Sequence, residues 1–163
     1  MPSYFFDSSS IIKRYHPEEG SPWVLSVCEA HPSPVIYLSQ LAEVEVIAAI
    51  RRKGRGEGLH QSYMDALINM FERHLVLSTP ERRSPIYRMI PLTSATTSLA
   101  ANLCNRYWNV DPFPLRSLDA LQLASALVAM SRDVGTVQFV TSDRRLAAVV
   151  PLVGMNVIDP AHP

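Results

Sequence analysis

Lysine is almost missing from this sequence: of fifteen basic residues, Lys13 and Lys53 are the two lysines and the other thirteen are arginine. An excess of either charge is missing as well, because fifteen acidic residues bring the formal net charge to +0 at pH 7. No global field draws such a chain to nucleic acid or to a membrane surface, so any polyanion has to meet a local patch. No apolar run approaches the roughly 18 residues of a membrane span, and the N-terminus has neither the basic start nor the cleavage site of a secretory leader. These absences predict a cytoplasmic protein with no membrane partner. Cysteine is scarce too. Cys28 and Cys104 lie in apolar, helix-like surroundings and read as buried thiols without a disulfide. The histidines, His60 and His74 among them, show no repeated metal-ligand spacing and read as structural or exposed.

What is present is ordinary in bulk and specific in detail. A hydrophobic content of 47% in 163 residues predicts one globular domain over 1–163 with a proper core. Ser3 to Phe6 is a short apolar run rich in aromatics, and it ends in Asp7 followed by three serines. A run of this kind before an N-cap cluster reads as a buried strand feeding a helix, with Asp7 at the strand's carboxyl end. Asp7 is itself a good N-cap for that helix, but three serines stand ready for the same job and are expected to do the capping, which frees Asp7 for other work. Val35 to Leu38, Tyr87 to Ile90, Val137 to Thr141 and Asn156 to Ile158 are further strand candidates, with Leu75 to Leu77 a weaker one. Helices are expected from Ser9 to Tyr15, from Ser21 toward His31, from Gln40 to Lys53 with Gly54 as the stop, and from His60 to His74. Two more are expected from Thr93 or Ser94 through Tyr107 and from an N-cap at Ser117 through Leu127, and another starts near Asp143. The polar stretch from Thr79 to Pro85 and the run Asp111-Pro112-Phe113-Pro114 read as loops. Strands alternating with helices predict a three-layer α/β/α architecture around a mainly parallel sheet.

Ligands of such sheets bind at the carboxyl edge of the strands, and acids converge there. Asp7 and Asp143 each follow a strand and open a helix, and Asp119 falls in the first turn of a helix of small and apolar residues. The helix from Gln40 is apolar nearly all round, yet it carries Glu43 and Glu45. Helical spacing sets each glutamate between apolar neighbours and leaves open which one faces the cleft. Carboxylates brought within 4 to 5 Å repel by about 3 to 4 kcal/mol per pair at an effective dielectric near 20. A set with no His or Cys favours Mg²⁺ or Mn²⁺ over Zn²⁺ as the compensating cation. Gly54-Arg55-Gly56-Glu57-Gly58 is no phosphate loop, since it leaves a helix where such a loop must leave a strand; it reads as an interhelical turn beside the basic cluster Arg51, Arg52, Lys53 and Arg55.

In order along the chain, Phe5-Phe6-Asp7-Ser8-Ser9, Tyr15 with Glu18 and Gly20, and Ser39-Gln40-Leu41 leading to Val44-Glu45-Val46 form a recognisable series. Leu118-Asp119-Ala120-Leu121-Gln122-Leu123-Ala124 and Phe139-Val140-Thr141-Ser142-Asp143 continue it. This series resembles the PIN domain, and at this chain length it is most similar to the VapC-type ribonuclease toxins of toxin-antitoxin systems. The resemblance implies an endoribonuclease that hydrolyses RNA phosphodiester bonds with Mg²⁺ or Mn²⁺. The implied catalytic and metal-binding acids are Asp7, Glu45, Asp119 and Asp143, so Glu45 is preferred to Glu43, and Ser9 and Thr141 are the implied polar supports. A small antitoxin protein and a homodimer are the implied partners besides RNA. The alternative from another class is a catalytically inactive module of the same fold that binds RNA or protein.

Overall fold

The computed structural model describes residues 2–78, 85–111 and 114–163; the expected loops at 79–85 and 111–114 lie largely outside them. The chain starts with strand β1 (Ser3–Phe6), helix α1 (Ser8–Ile11) continued by a 3₁₀ turn (Ile12–Arg14), and α2 (Ser21–Cys28). Strand β2 (Val35–Ser39) leads to α3 (Ala42–Gly56) and α4 (Gln61–Val76), and β3 (Arg88–Ile90) to α5 (Ser94–Arg106) and α6 (Ser117–Arg132). Strand β4 (Val137–Val140), α7 (Arg144–Val149), a 3₁₀ turn (Val150–Val153) and β5 (Val157–Ile158) complete it.

The five strands form one parallel sheet in the order β3-β2-β1-β4-β5. Parallel strands are covered on both faces, which is why β1 reads as a continuous aromatic run with no polar alternation. Phe5 pairs in register with Tyr37 and Phe139, and these three point to one face, where they meet Leu103, Leu123, Leu146 and Val149 of α5, α6 and α7. The rings of Phe5 and Phe139 stack with centroids 5.2 Å apart. Phe6, Leu38 and Val140 point to the other face, against Ile11, Val24, Val46, Ile50 and Phe71 of α1 to α4. The expected α/β/α sandwich is thus observed, with all strand pairs parallel. Among the described residues no helix is long and apolar enough to cross a membrane.

Some local expectations are corrected. Leu75 to Val76 is the last turn of α4, not a strand, because Leu75 stands four residues after the buried Phe71 and continues that helix's apolar stripe. Gly54 does not stop α3, which runs on to Gly56; Gly54 is where Met64 of α4 lies closest, so a side chain there would collide with it. The second helix ends at Cys28, and its N-cap is Gly20 in the left-handed region (φ 86). A β-carbon at Gly20 would stand 2.9 Å from the backbone of Pro160, so this turn also seats the C-terminal segment. Cys28 and Cys104 are free and only half-buried, and His74 accepts or donates one hydrogen bond with the Tyr15 hydroxyl at 2.9 Å.

Candidate active site

The sheet order reverses direction between β1 and β4, since crossovers from β1 lead to β2 on one side while β4 and β5 lie on the other. A crevice opens at the carboxyl ends of strands at such a switch point. Asp7 follows β1 there. Its backbone N–H donates to the Val140 carbonyl at 3.1 Å, extending the ladder by one residue. Its side chain caps α1: Oδ1 accepts from the Ser10 N–H at 2.9 Å, Ser9 Oγ lies 2.9 Å from both oxygens, and Thr141 Oγ1 donates to Oδ2 at 2.7 Å. The expectation that the serines cap this helix is therefore corrected. They fill its first turn, and Ser10 donates to the Val140 carbonyl at 2.7 Å. Asp7 is 4% exposed. Burial pushes its carboxyl up to about 6, against the opposing hydrogen bonds from Thr141, Ser10 and Ser9.

The end of β4 is tied to the end of β1 through the same hydroxyls. Ser9 Oγ accepts from the Ser142 N–H at 3.0 Å, and Thr141 Oγ1 accepts from the Asp143 N–H at 3.0 Å. Asp143 in turn caps α7, with Oδ1 accepting from the Arg145 N–H at 2.7 Å. Ser9 and Thr141 thus hold the two strand ends in one arrangement, with Asp7 between them.

Two helices deliver the remaining acids. Glu45 on α3 turns inward: its Oε2 accepts from Ser8 Oγ at 2.5 Å and from Gln122 Nε2 at 2.7 Å. Glu43 is exposed, so the ambiguity left by helical spacing is resolved by the polar partners that only Glu45 meets. Asp119 lies at the third position of α6. The N-cap of that helix is Arg116, which corrects the expectation of Ser117. The reason is local: the Asp119 carboxylate reaches back toward the Arg116 backbone N–H, the reciprocal half of a capping box, and no Ser117 hydroxyl is required. Burial raises the Asp119 carboxyl first, and the charges of Asp143 and Glu45 raise it further. Asp7, Glu45, Asp119 and Asp143 all line one cleft of about 730 Å³.

Two contributors escaped the sequence reading as site residues. Gln122 is 3% exposed, and its Nε2 bridges Ser8 Oγ (2.9 Å) and Glu45 Oε2. The signal for it was a polar residue three positions after Asp119, on the same face of an otherwise apolar helix. Ser8 donates to the same Glu45 oxygen, Oε2. Glu18 also lines the cleft, but it is engaged by Lys13 at 3.4 Å and by Lys53.

Among the described residues no three His, Cys, Asp or Glu side chains form a ready-made cage for a metal ion. A cage is not what Mg²⁺ requires, since it keeps several waters and binds through one or two carboxylates. The donor set fits such an ion. Four buried side-chain polar atoms lack a hydrogen-bond partner among the described residues, and Asp119 Oδ2, Gln122 Oε1 and Ser142 Oγ, three of them, belong to residues lining this cleft. Asp119 Oδ2 and Gln122 Oε1 are oxygen acceptors left for a cation or its water shell, and Glu45 Oε1 accepts no hydrogen bond from the described residues. On Asp7 the Ser9 hydroxyl faces both oxygens, with the Ser10 N–H on Oδ1 and Thr141 on Oδ2, so a cation there would share the carboxylate with the Ser9 hydroxyl. Compared with models of known protein families and with curated proteins, the sequence matches none of either.

Proposed function

We propose that this protein is a Mg²⁺- or Mn²⁺-dependent endoribonuclease of the PIN type, acting as the toxin of a toxin-antitoxin pair that a small protein partner holds inactive. The observation that carries the reading is the convergence of Asp7, Glu45, Asp119 and Asp143 on one cleft that also holds unpartnered buried oxygens. Structural ion pairing is a poor account of four carboxylates whose mutual repulsion nothing inside the acid set offsets.

Asp7, Asp119 and Asp143 are the residues that would hold the cation, with Glu45 completing the set. Bound there, a divalent ion supplies acidification of water and neutralisation of phosphate charge. The chain's own residues do the rest. Thr141, Ser9 and the Ser10 N–H fix the Asp7 carboxylate in one orientation, and Ser8 and Gln122 do the same for Glu45. Such preorganisation lowers the reorganisation needed when charge develops at the scissile phosphate. Hydrolysis adds water across the P–O bond, leaving phosphate on one product and a hydroxyl on the other. Arg116, exposed on the cleft rim, is placed to meet a phosphate oxygen.

Purified protein free of any inhibitory partner is expected to cut single-stranded RNA with Mg²⁺ or Mn²⁺ and not with EDTA. Ca²⁺ should allow binding and support cleavage poorly, because of its looser coordination. A mixed panel of structured and unstructured RNAs is the substrate. RNA bound equally well in EDTA, and never cut across that panel, would replace the enzyme by a binding module.

The cleft-facing glutamate gives a second test. Glu45→Gln is expected to weaken Mn²⁺ binding tenfold or more by titration calorimetry, while Glu43→Gln, altering an exposed side chain, leaves it unchanged. The reverse ranking would remove Glu45 from the site.

A further inference from the structure

The cleft does not end at the acids. Ala48 and Arg52 line it, and both also line a second concavity of about 660 Å³ whose other walls include Arg51, Arg55, Leu59 and Met64. Helix geometry explains this continuity. Glu45, Ala48, Arg52 and Arg55 are spaced three, four and three residues apart, which makes them one stripe along α3. At a rise of about 1.5 Å per residue, Arg52 stands about 10 Å and Arg55 about 15 Å along the axis from Glu45. The stripe therefore changes sign from an acid end to a basic end within the length of a few nucleotides.

The neighbouring acids are already engaged, and this leaves the positive charge unspent. Arg51 Nη2 pairs with Asp65 Oδ1 at 2.6 Å, Glu57 Oε2 faces His16 Nε2 at 3.1 Å, and Glu18 holds Lys13 and Lys53. Arg52 and Arg55 are exposed and have no carboxylate partner among the described residues. Two adjacent guanidinium groups without an acid, set in a concave wall, are suited to bidentate contact with phosphate.

We infer that this second groove is a docking track for the phosphates of single-stranded RNA flanking the linkage held at the acids, with Arg52 and Arg55 as positioning residues. The inference rests on the nuclease reading for the identity of the ligand. A single strand is favoured over a duplex because Asp7, on the cleft floor, is only 4% exposed and a paired strand would keep the backbone from reaching it. An acidic protein segment could use the same charges. The continuity with the acid cleft favours RNA, since a strand crossing the acids has to leave along one of the cleft's ends, and this end carries the attractive charge.

The test is fluorescence anisotropy of a labelled twelve-nucleotide RNA in Ca²⁺ across a salt series, with wild type, Arg55→Gln, Arg55→Lys and Arg132→Gln. Arg132 is an exposed residue at the far end of α6, about 20 Å along that helix from Asp119, and serves as the control for lost surface charge. Arg55→Gln is expected to weaken binding several-fold at low salt and to reduce the slope of log K against log salt by about 0.7, one phosphate contact on a single strand. Arg55→Lys should keep the slope, and Arg132→Gln should bind as wild type. A dinucleotide, too short to reach Arg55 from the acids, should not distinguish Arg55→Gln from wild type. An unchanged slope in Arg55→Gln overturns the inference. So does a polyglutamate peptide whose affinity depends on Arg55 while RNA affinity does not. If the slope falls but no RNA is ever cut with Mg²⁺, the nuclease reading fails and the groove stands; if RNA is cut and the slope is unchanged, the groove alone fails.

Discussion

Asp7→Asn is expected to yield a protein that is inactive and yet more stable than wild type at pH 8 in EDTA. The stability half follows from burial. The Asp7 carboxyl is raised from 3.8 to about 6 by desolvation, which its hydrogen bonds only partly offset. Between those two values the folded state binds more protons than the unfolded state, so stability falls as pH rises through this window. A shift of about two pK units corresponds to about 3 kcal/mol of cost in full at neutral pH and absent below about pH 4. Asn keeps the volume. Its oxygen can accept from the Ser10 N–H, and its amide can donate to the Thr141 or Ser9 hydroxyl, each of which has acceptor capacity. The two-unit shift is already net of the hydrogen bonds to the ionised carboxylate, so a rise in Tm of several degrees is expected at pH 8, shrinking toward zero near pH 4. Cleavage should fall at least about a hundredfold, because the carboxylate at the switch point is the one held by the most donors. Thermal melts from pH 4 to pH 8 and an RNA cleavage assay on the same samples are the measurements. A lower Tm at pH 8 would make the ionised carboxylate a net structural asset, and retained cleavage would remove Asp7 from the chemistry.

The positions of Asp7 and Asp143 were legible because each is fixed by a local rule, an apolar run that stops at an acid just before a helix. The sandwich itself was legible for a similar reason, since strand runs buried on both faces carry no alternation to misread. Capping assignments were not legible at the same level. Ser8, Ser9, Ser10 and Ser117 are all good N-caps by type, yet the caps are Asp7, one position before the serines, and Arg116, whose own N–H faces the carboxylate of Asp119 three positions on. Leu75 to Leu77 shows the limit of short apolar runs, where three residues cannot distinguish a strand from a helix's final turn. The choice between Glu43 and Glu45 was outside local reach altogether. Both lie among apolar neighbours on α3, and the deciding partners, Ser8 and Gln122, come from 37 and 77 residues away in sequence.

Gln122 gives the second large effect. Gln122→Leu is expected to lower Mn²⁺ affinity ten- to a hundredfold while changing stability by less than about 1 kcal/mol. The affinity loss follows from its contacts: Nε2 holds Glu45 Oε2 at 2.7 Å and Ser8 Oγ at 2.9 Å, and a leucine can hold neither, so Glu45 keeps only the Ser8 hydroxyl, which has itself lost the donor that oriented it. The near-neutral stability follows from what else is removed. Gln122 Oε1 is buried without a hydrogen-bond partner among the described residues, a state that costs about 1 to 3 kcal/mol, and leucine of similar size abolishes it. Glu45 is only half-buried, so it can turn to water and no charge is stranded. A residue that served only to pack the α6 face would give the opposite pair of results, lower stability with unchanged metal affinity. Gln122→Glu sharpens the contrast, since it sets a second carboxylate against Glu45 and the two cannot both ionise at low cost without a cation. In EDTA its Tm should fall as pH rises above about 5, and Mn²⁺ should restore more of that loss than it adds to wild type. Calorimetric Mn²⁺ titrations, with melts in EDTA and in Mn²⁺, separate the two roles. Unchanged affinity in Gln122→Leu together with a Tm of Gln122→Glu indifferent to Mn²⁺ would return Gln122 to the core.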